Sequence, residues 1–340
     1  MSANPVAPRQ VGRHVWRGDE LAERDDWVWH LTDREVDELV AAAEPFAVGD
    51  EASLAALDRE QVALPTLGPR LGALRGRLIE GPGVEVVRGL PVAEIGDGHA
   101  TAVFAAIGSH LGSLRVQNAI GHRIGHVRNI GADADDPAVR IYQTDSRQTF
   151  HTDSADVVGL LCLETAQQGG ESLLASAATV YNEMLDRDPD LAAVLFAPIA
   201  TDRRGEVPPG ADPWFTIPVL SWYDGQLTVQ YQRQYIDSAQ RFDEAPRLSD
   251  RQVAALDLFD EIAETPGINI SMQLEVGDMQ FVYNHALLHD RTGFVDKPGS
   301  PRHLLRMWLS VPGDRELPPV FAERYGSITV GDRGGIVTTD

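Results

Sequence analysis

Apolar residues recur along the chain at two different periods. Val36, Leu39, Val40 and Ala43 share one helical face, the capping box Thr32-Asp33-Arg34-Glu35 stands in front of them, and Pro45 ends the run. The same period predicts helices over about 69–79 and 99–111. A further helix, through Val253, Leu256, Leu258 and Ile262, follows the cap Ser249-Asp250-Arg251-Gln252. Elsewhere the apolar runs are short, rich in β-branched and aromatic residues, and bounded by Gly, Pro and Asp. They predict strands at 84–87, 125–130, 139–144, 157–163, 171–176, 216–222, 227–231, 269–274, 279–283 and 303–310. So many short strands suggest a barrel or jelly roll, giving an α/β chain with a mainly β core and surrounding helices.

The first dozen residues, rich in Pro and small side chains, read as a flexible N-terminus (1–12). Trp16, Trp27 and Trp29 mark the onset of ordered structure. No repeat or low-complexity tract breaks the remainder, so residues 13–340 are expected to form a single domain. The polar, Pro/Gly-rich stretch around 202–214 reads either as mobile surface or as a lid-like insertion. A net charge of −22 and an isoelectric point near 4.7 argue against nucleic acid or an anionic membrane surface as partners. The single cysteine, Cys162, excludes an intrachain disulfide and lies in an apolar run where a small buried hydrophobe is expected. No stretch approaches the roughly 20 apolar residues that span a bilayer, and no signal core opens the chain, so a cytoplasmic protein is expected. The sequence leaves a homo-oligomer open.

Against this background His151 and Asp153 in Gln148-Thr149-Phe150-His151-Thr152-Asp153 stand out. Residues two apart on a strand point to one face, so imidazole and carboxylate can be presented together while Thr152 faces away. Such tripeptides arise by chance in a chain with 10 His and 51 acidic residues, and the pair alone is weak evidence. It gains weight from His289 in Asn284-His285-Ala286-Leu287-Leu288-His289-Asp290-Arg291, near the strands at 279–283 and 303–310. Two histidines and one carboxylate make a metal site with open positions, as non-haem iron chemistry requires.

These segments, together with Arg302-His303-Leu304-Leu305-Arg306-Met307-Trp308-Leu309, resemble the clavaminate synthase-like branch of the TauD/TfdA superfamily of Fe(II)- and 2-oxoglutarate-dependent oxygenases; the likeness runs from about Gly83 to Pro312. The resemblance implies a double-stranded β-helix fold of the jelly-roll, cupin-like type, with iron held by His151, Asp153 and His289 and with His285 structural. It implies dioxygen and 2-oxoglutarate as co-substrates, the latter decarboxylated to succinate while a small-molecule substrate is hydroxylated or desaturated. It matches Arg302 to the arginine that meets 2-oxoglutarate and Thr179 to its hydroxyl partner. A planar guanidinium suits a buried carboxylate, since it stays charged and offers a fork of donors.

Without the resemblance, Arg302 would read as an exposed arginine after a loop, and Thr179 as the N-cap of a helix beginning at Val180. Arg306 shares the strand face of Arg302 and either binds the substrate, which would then be anionic, or braces the pocket. The polar run 142–147 lines the substrate pocket or is an exposed connection. Trp214, Phe215, Trp222 and Tyr223 are core or an apolar substrate wall. Because Asp153 fills a position that related halogenases keep for halide, hydroxylation or desaturation is expected over halogenation. The competing class is a cupin-like hydrolase, isomerase or ligand sensor that uses the metal triad without 2-oxoglutarate.

Overall fold

A computed structural model describes residues 6–49, 53, 54, 56–118, 120–133, 136 and 139–336. Two sheets face each other. The larger orders its strands Val28–His30, Val84–Arg88, Met279–Tyr283, Val157–Glu164 and His303–Ser310, with Ser113–Leu114 and Ile124–Val127 both paired to the last. Only the first pairing is parallel. The smaller sheet is antiparallel throughout, in the order Asn269–Met272, Ser172–Ser176, Leu287–Arg291, Gln148–His151.

Side-chain alternation explains why the central strands read as continuous apolar runs: both faces are covered. Leu161, Phe281, Leu305, Met307 and Leu309 turn outward to a core shared with the helices Asp33–Ala43, Leu67–Glu80 and Val92–Leu111. Leu160, Gln280, Val282, Leu304 and Arg306 turn inward. On the outer side of the smaller sheet, the helices Ala177–Arg187 and Asp250–Glu264 bury Val180, Tyr181, Met184, Phe259 and Ile262 with Phe150 and Leu288. The layers run helix, sheet, sheet, helix. At one end the space between the sheets is filled by Trp16, Trp27, Val84, Val86, Leu174 and Leu287. At the other it stays open as a cavity.

Most expected elements appear where the pattern placed them, the capping boxes at Thr32 and Ser249 included. Several expectations are corrected. Residues 7–10 are not loose: Ala7 is buried, Arg9 makes a two-pronged ion pair with Asp186, and the Gln10 N–H donates to Asn182 Oδ1. Residues 1–5 lie outside the described part. Instead of a strand at 139–144 there is a 3-10 turn, Ile141–Gln143, closed by the Thr144 hydroxyl on the Ile141 carbonyl. The strand at 216–222 is two, Trp214–Pro218 and Leu220–Tyr223, because the first ends at a proline; the second forms a hairpin with Gln226–Val229 across Asp224-Gly225, both at positive φ. The helix expected at 99–111 starts at Val92 and is kinked at Gly96, where φ is +78°. In the helix Asp250–Glu264 the buried face is Ala255, Leu256, Phe259 and Ile262, leaving Val253 exposed. Among the described residues no helix is long and apolar enough to cross a membrane.

Candidate functional site

His151 and His289 are direct register partners across the neighbouring strands Gln148–His151 and Leu287–Arg291, which sets their rings 4.1 Å apart, centroid to centroid. Directly opposed residues of an antiparallel pair share a face. Asp153 follows the strand end, its backbone N–H held by Asn284 Oδ1 at 2.8 Å and its Oδ2 lying 3.7 Å from His289 Nε2. One ligand atom from each of the three residues falls within 4.8 Å of the others. Thr152 turns away, its hydroxyl exchanging hydrogen bonds with the Tyr231 backbone.

The charge states suit a cation. Burial, and His289 beside it, pushes the His151 pKa down to about 3, so the ring is neutral; its Nδ1–H donates to the Thr149 carbonyl at 2.7 Å, leaving Nε2 as a base. Gln148 Nε2 donates to that atom at 2.9 Å. Burial alone would raise the Asp153 carboxyl, but Arg306 and His289 hold it well below the ordinary range. Asp153 Oδ2 accepts from Arg306 Nη1 at 3.2 Å and from Trp308 Nε1 at 2.8 Å, while Arg306 Nε donates to Gln117 Oε1. A second acidic cluster, Asp156, His285 and Asp314, is different in kind: Arg333 already fills it as the cation, at 2.7 Å from Asp156 and 2.8 Å from Asp314. His285, held to Asp156 at 2.8 Å, thus belongs to a buried ionic network apart from the triad.

The cavity between the sheets holds about 620 Å³ of space, part of it open to solvent, and the triad lies on its wall. So do Arg302, Arg291, Ser172 and Tyr142. Arg302 is buried at 6 % exposure, donates one bond to the Gly170 carbonyl at 3.3 Å, and keeps Nη1 buried with no partner among the described residues. Burial pulls its pKa down to about 10. Gly170, at φ +79°, makes room for it: a Cβ there would come within 2.8 Å of Arg302 Nε. A buried guanidinium without a counter-charge is costly, and the cavity beside it is where an anion would compensate.

Thr179 is a correction. It sits in the first turn of the helix Ala177–Arg187, its hydroxyl donates to the Trp16 carbonyl at 2.8 Å, and it does not line the cavity. Nor is it the N-cap, which is Ser176. The aliphatic hydroxyl that lines the cavity with Arg302, among the described residues, is that of Ser172, donating to Gln280 Oε1 at 2.9 Å. Arg306 lines the cavity, and its Nη1 and Nε are engaged by Asp153 and Gln117, which favours the bracing alternative over a substrate contact. Of the run 142–147, Tyr142 lines the cavity, whereas Thr144 and Ser146 offer carbonyls to Arg291. Gln148, Ser172 and Trp308 were missed: Ser172 and Trp308 are polar groups in largely apolar strands, while Gln148 lies in a polar strand beside an irregular register with Leu287–Arg291.

Residues 48–308 match the model of the family described as taurine catabolism dioxygenase TauD, TfdA family. The chain is 34% identical to the FR-33289 synthase of Streptomyces rubellomurinus over 327 residues, 93% of this chain and 95% of that one. It is 29% identical to a uridine-5'-phosphate dioxygenase of Streptomyces sp over 236 residues, 64% of this chain and 81% of that one. In fold it is similar to asparagine oxygenase in complex with Fe(II), 3-hydroxyasparagine and succinate (TM-score 0.65, 19% identity, 83% of this chain and 93% of that one). It is also similar to the non-heme iron oxygenase OrfP in complex with Fe and alpha-ketoglutaric acid (TM-score 0.60, 16% identity, 83% and 93%). These likenesses extend over most of the fold that carries the triad, and the chain belongs to the TauD/TfdA family of non-haem iron, 2-oxoglutarate-dependent dioxygenases.

Proposed function

We propose that His151, Asp153 and His289 hold ferrous ion, and that Arg302 with the Ser172 hydroxyl receives the distal carboxylate of 2-oxoglutarate, in an enzyme that hydroxylates or desaturates a small molecule. Supporting this reading are the convergence of the triad and the unpartnered Nη1 of Arg302 on one cavity wall. When bound, iron and the keto acid activate dioxygen for oxidation of a substrate C–H bond. The chain's residues set the conditions for it. His151 is kept neutral by burial, and Asp153 is kept ionised by Arg306 and aimed by Trp308 Nε1. The Ser172 proton now given to Gln280 is the one an incoming carboxylate would accept. Leu160, Val282, Leu274 and Leu304 give the same space an apolar wall, which would keep water from the reacting centre once substrate fills it. We also infer that the loop 203–213 covers the substrate side, since Arg203 ties it to the carbonyls of Asp212, Trp214 and Glu323, and its own Glu206 is buried against Arg140 and Arg324. Relatives acting on a nucleotide or an amino acid set the size of molecule to try.

Anaerobic addition of Fe(II) and 2-oxoglutarate should give a visible charge-transfer band, absent in His151→Ala. In Arg302→Met the band should need roughly ten- to a hundredfold more 2-oxoglutarate, the worth of a charged hydrogen-bonded pair. Absence of the band at saturating metal and keto acid would sink the proposal. An Arg302→Met protein with unaltered 2-oxoglutarate dependence would favour a metal protein that does not use the keto acid. Succinate release under air, across a panel of amino acids, nucleotides, sulfonates and aryl acids, then finds the substrate.

A further inference from the structure

Beside the triad lies a second recess, about 400 Å³ of space that is partly open to solvent, which shares Gln148, His151 and Asp153 with the first cavity. Its walls are polar where those of the first are mostly apolar: Arg140, Arg324, Gln230, Gln232 and Thr201, with Phe215 as an apolar patch. Arg140 and Arg324 are 9 % and 8 % exposed and share one carboxylate, Glu206. It serves them unequally, at 2.8 Å from Arg140 Nη1 and 3.4 Å from Arg324 Nη2. Accordingly Glu206 raises the Arg140 pKa against the pull of burial, whereas burial holds Arg324 below its ordinary value in spite of Glu206, and Arg140 adds to that drop.

Among the described residues, two buried guanidiniums and one buried carboxylate leave one positive charge here, in a chain whose net charge is −22. Asp202, also in the wall, does not offset it, being held by Arg241 Nε, the Ser238 hydroxyl and the Arg204 N–H. Among the described residues Arg140 Nε and Gln232 Oε1 are buried with no partner. The cluster adjoins the triad through its neighbours: Arg324 Nε donates to Ser154 Oγ at 2.9 Å, next to Asp153, and the Arg140 guanidinium lies 5.6 Å from the centre of the Trp308 ring, which itself donates to Asp153. We propose that this recess binds the substrate by an oxyanion headgroup, phosphonate, phosphate, sulfonate or carboxylate, set between Arg140 and Arg324, with the carbon to be oxidised towards His151 and Asp153. Gln230, Gln232 and Thr201 then face the polar body of the molecule. The inference rests on reading the triad as the iron site.

Protein loaded anaerobically with Fe(II) and 2-oxoglutarate, so that Arg302 is occupied, is titrated by calorimetry with methylphosphonate, methanesulfonate, acetate and the uncharged dimethyl sulfone. At least one anion should bind and the sulfone should not, and the order among the anions names the headgroup. Arg140→Gln and Arg324→Gln should each weaken anion binding roughly tenfold or more, with the charge-transfer band intact. Glu206→Gln, which removes the competing carboxylate, should tighten it, a gain that misfolding cannot mimic. Anions and sulfone binding alike, no anion binding, or anion binding unchanged in both arginine variants would overturn the inference while the band persists. Loss of the band in the unaltered protein would instead overturn the iron and keto-acid reading, and this inference with it.

Discussion

Asp153 carries more of the site's electrostatics than either histidine. Its Oδ2 takes bonds from Arg306 and Trp308, and its backbone is clamped by Asn284, whose own amide donates to the Asp153 and Ala155 carbonyls. A carboxylate oriented this way should hold metal more tightly than one left to rotate, because the orientation is fixed before binding. Trp308→Phe keeps the packing and deletes one donor. It should weaken Fe(II) binding by roughly tenfold, at the low end of effects seen for such outer partners, in titrations of the charge-transfer band. Unchanged affinity would show that Arg306 alone orients the carboxylate. The metal-site candidates and Arg302 were pointed to by the family resemblance that their segments carry together; taken singly they were weak signals, since a His-x-Asp pair arises by chance and Arg302 alone reads as exposed. The hydroxyl partner was not legible: Thr179 and Ser172 look alike as letters. Only alternation along Ser172–Ser176, with Leu174 packed inside, shows that Ser172 also points inward.

At the scale of elements, the strand Val157–Glu164 is the one on which the larger sheet depends, flanked by Met279–Tyr283 and His303–Ser310. Its outward position 159 is glycine for a packing reason. A Cβ there would come within 2.8 Å of Met307 Cγ and 3.0 Å of Phe281 Cε1, both in the core under the helix Val92–Leu111. Gly159→Ala should therefore destabilise by about 1–3 kcal/mol through overpacking, seen as a lower urea midpoint at constant slope. A stability equal to the parent's would mean that the Met307 side chain moves aside at no cost. Strands covered on both faces were easy to find from composition, since they are long apolar runs. The errors fell where tertiary contacts override local preference. The segment 139–144 has strand-like residues, yet Arg140 is drawn to the Gln117 carbonyl and Glu206, and the chain turns there instead. The extent of the helix Val92–Leu111 was hidden by Gly96 and Gly98, which read as a break.

Over the whole molecule, the C-terminal segment is tied back onto the site's support by charges that no local pattern announces. Arg333 lies fully buried, donating to Asp156 Oδ1, Asp314 Oδ2 and the Arg315 carbonyl, while the N–H groups of Gly335 and Ile336 reach the carbonyls of Ser154 and Val116. Partners so far apart in sequence leave no periodic trace, which is why the segment could not be placed from the chain alone. Asp156 sits where Arg333, His285 and the Val311 N–H meet. Burial alone would raise its carboxyl, yet His285 and Arg333 hold it below the ordinary range. A depressed folded-state pKa means that the unfolded chain takes up the proton first. The stabilisation is then complete above the unfolded value of about 4 and is lost as pH falls below it through the folded value. Arg333→Met leaves two buried carboxylates short of a cation and should cost about 3–5 kcal/mol at neutral pH. The cost should shrink as acid protonates those carboxylates, so parent and variant denaturation midpoints should approach each other below about pH 4. Midpoints that stay equally far apart from pH 7 down to acid would show that Arg333 acts through packing rather than through its charge.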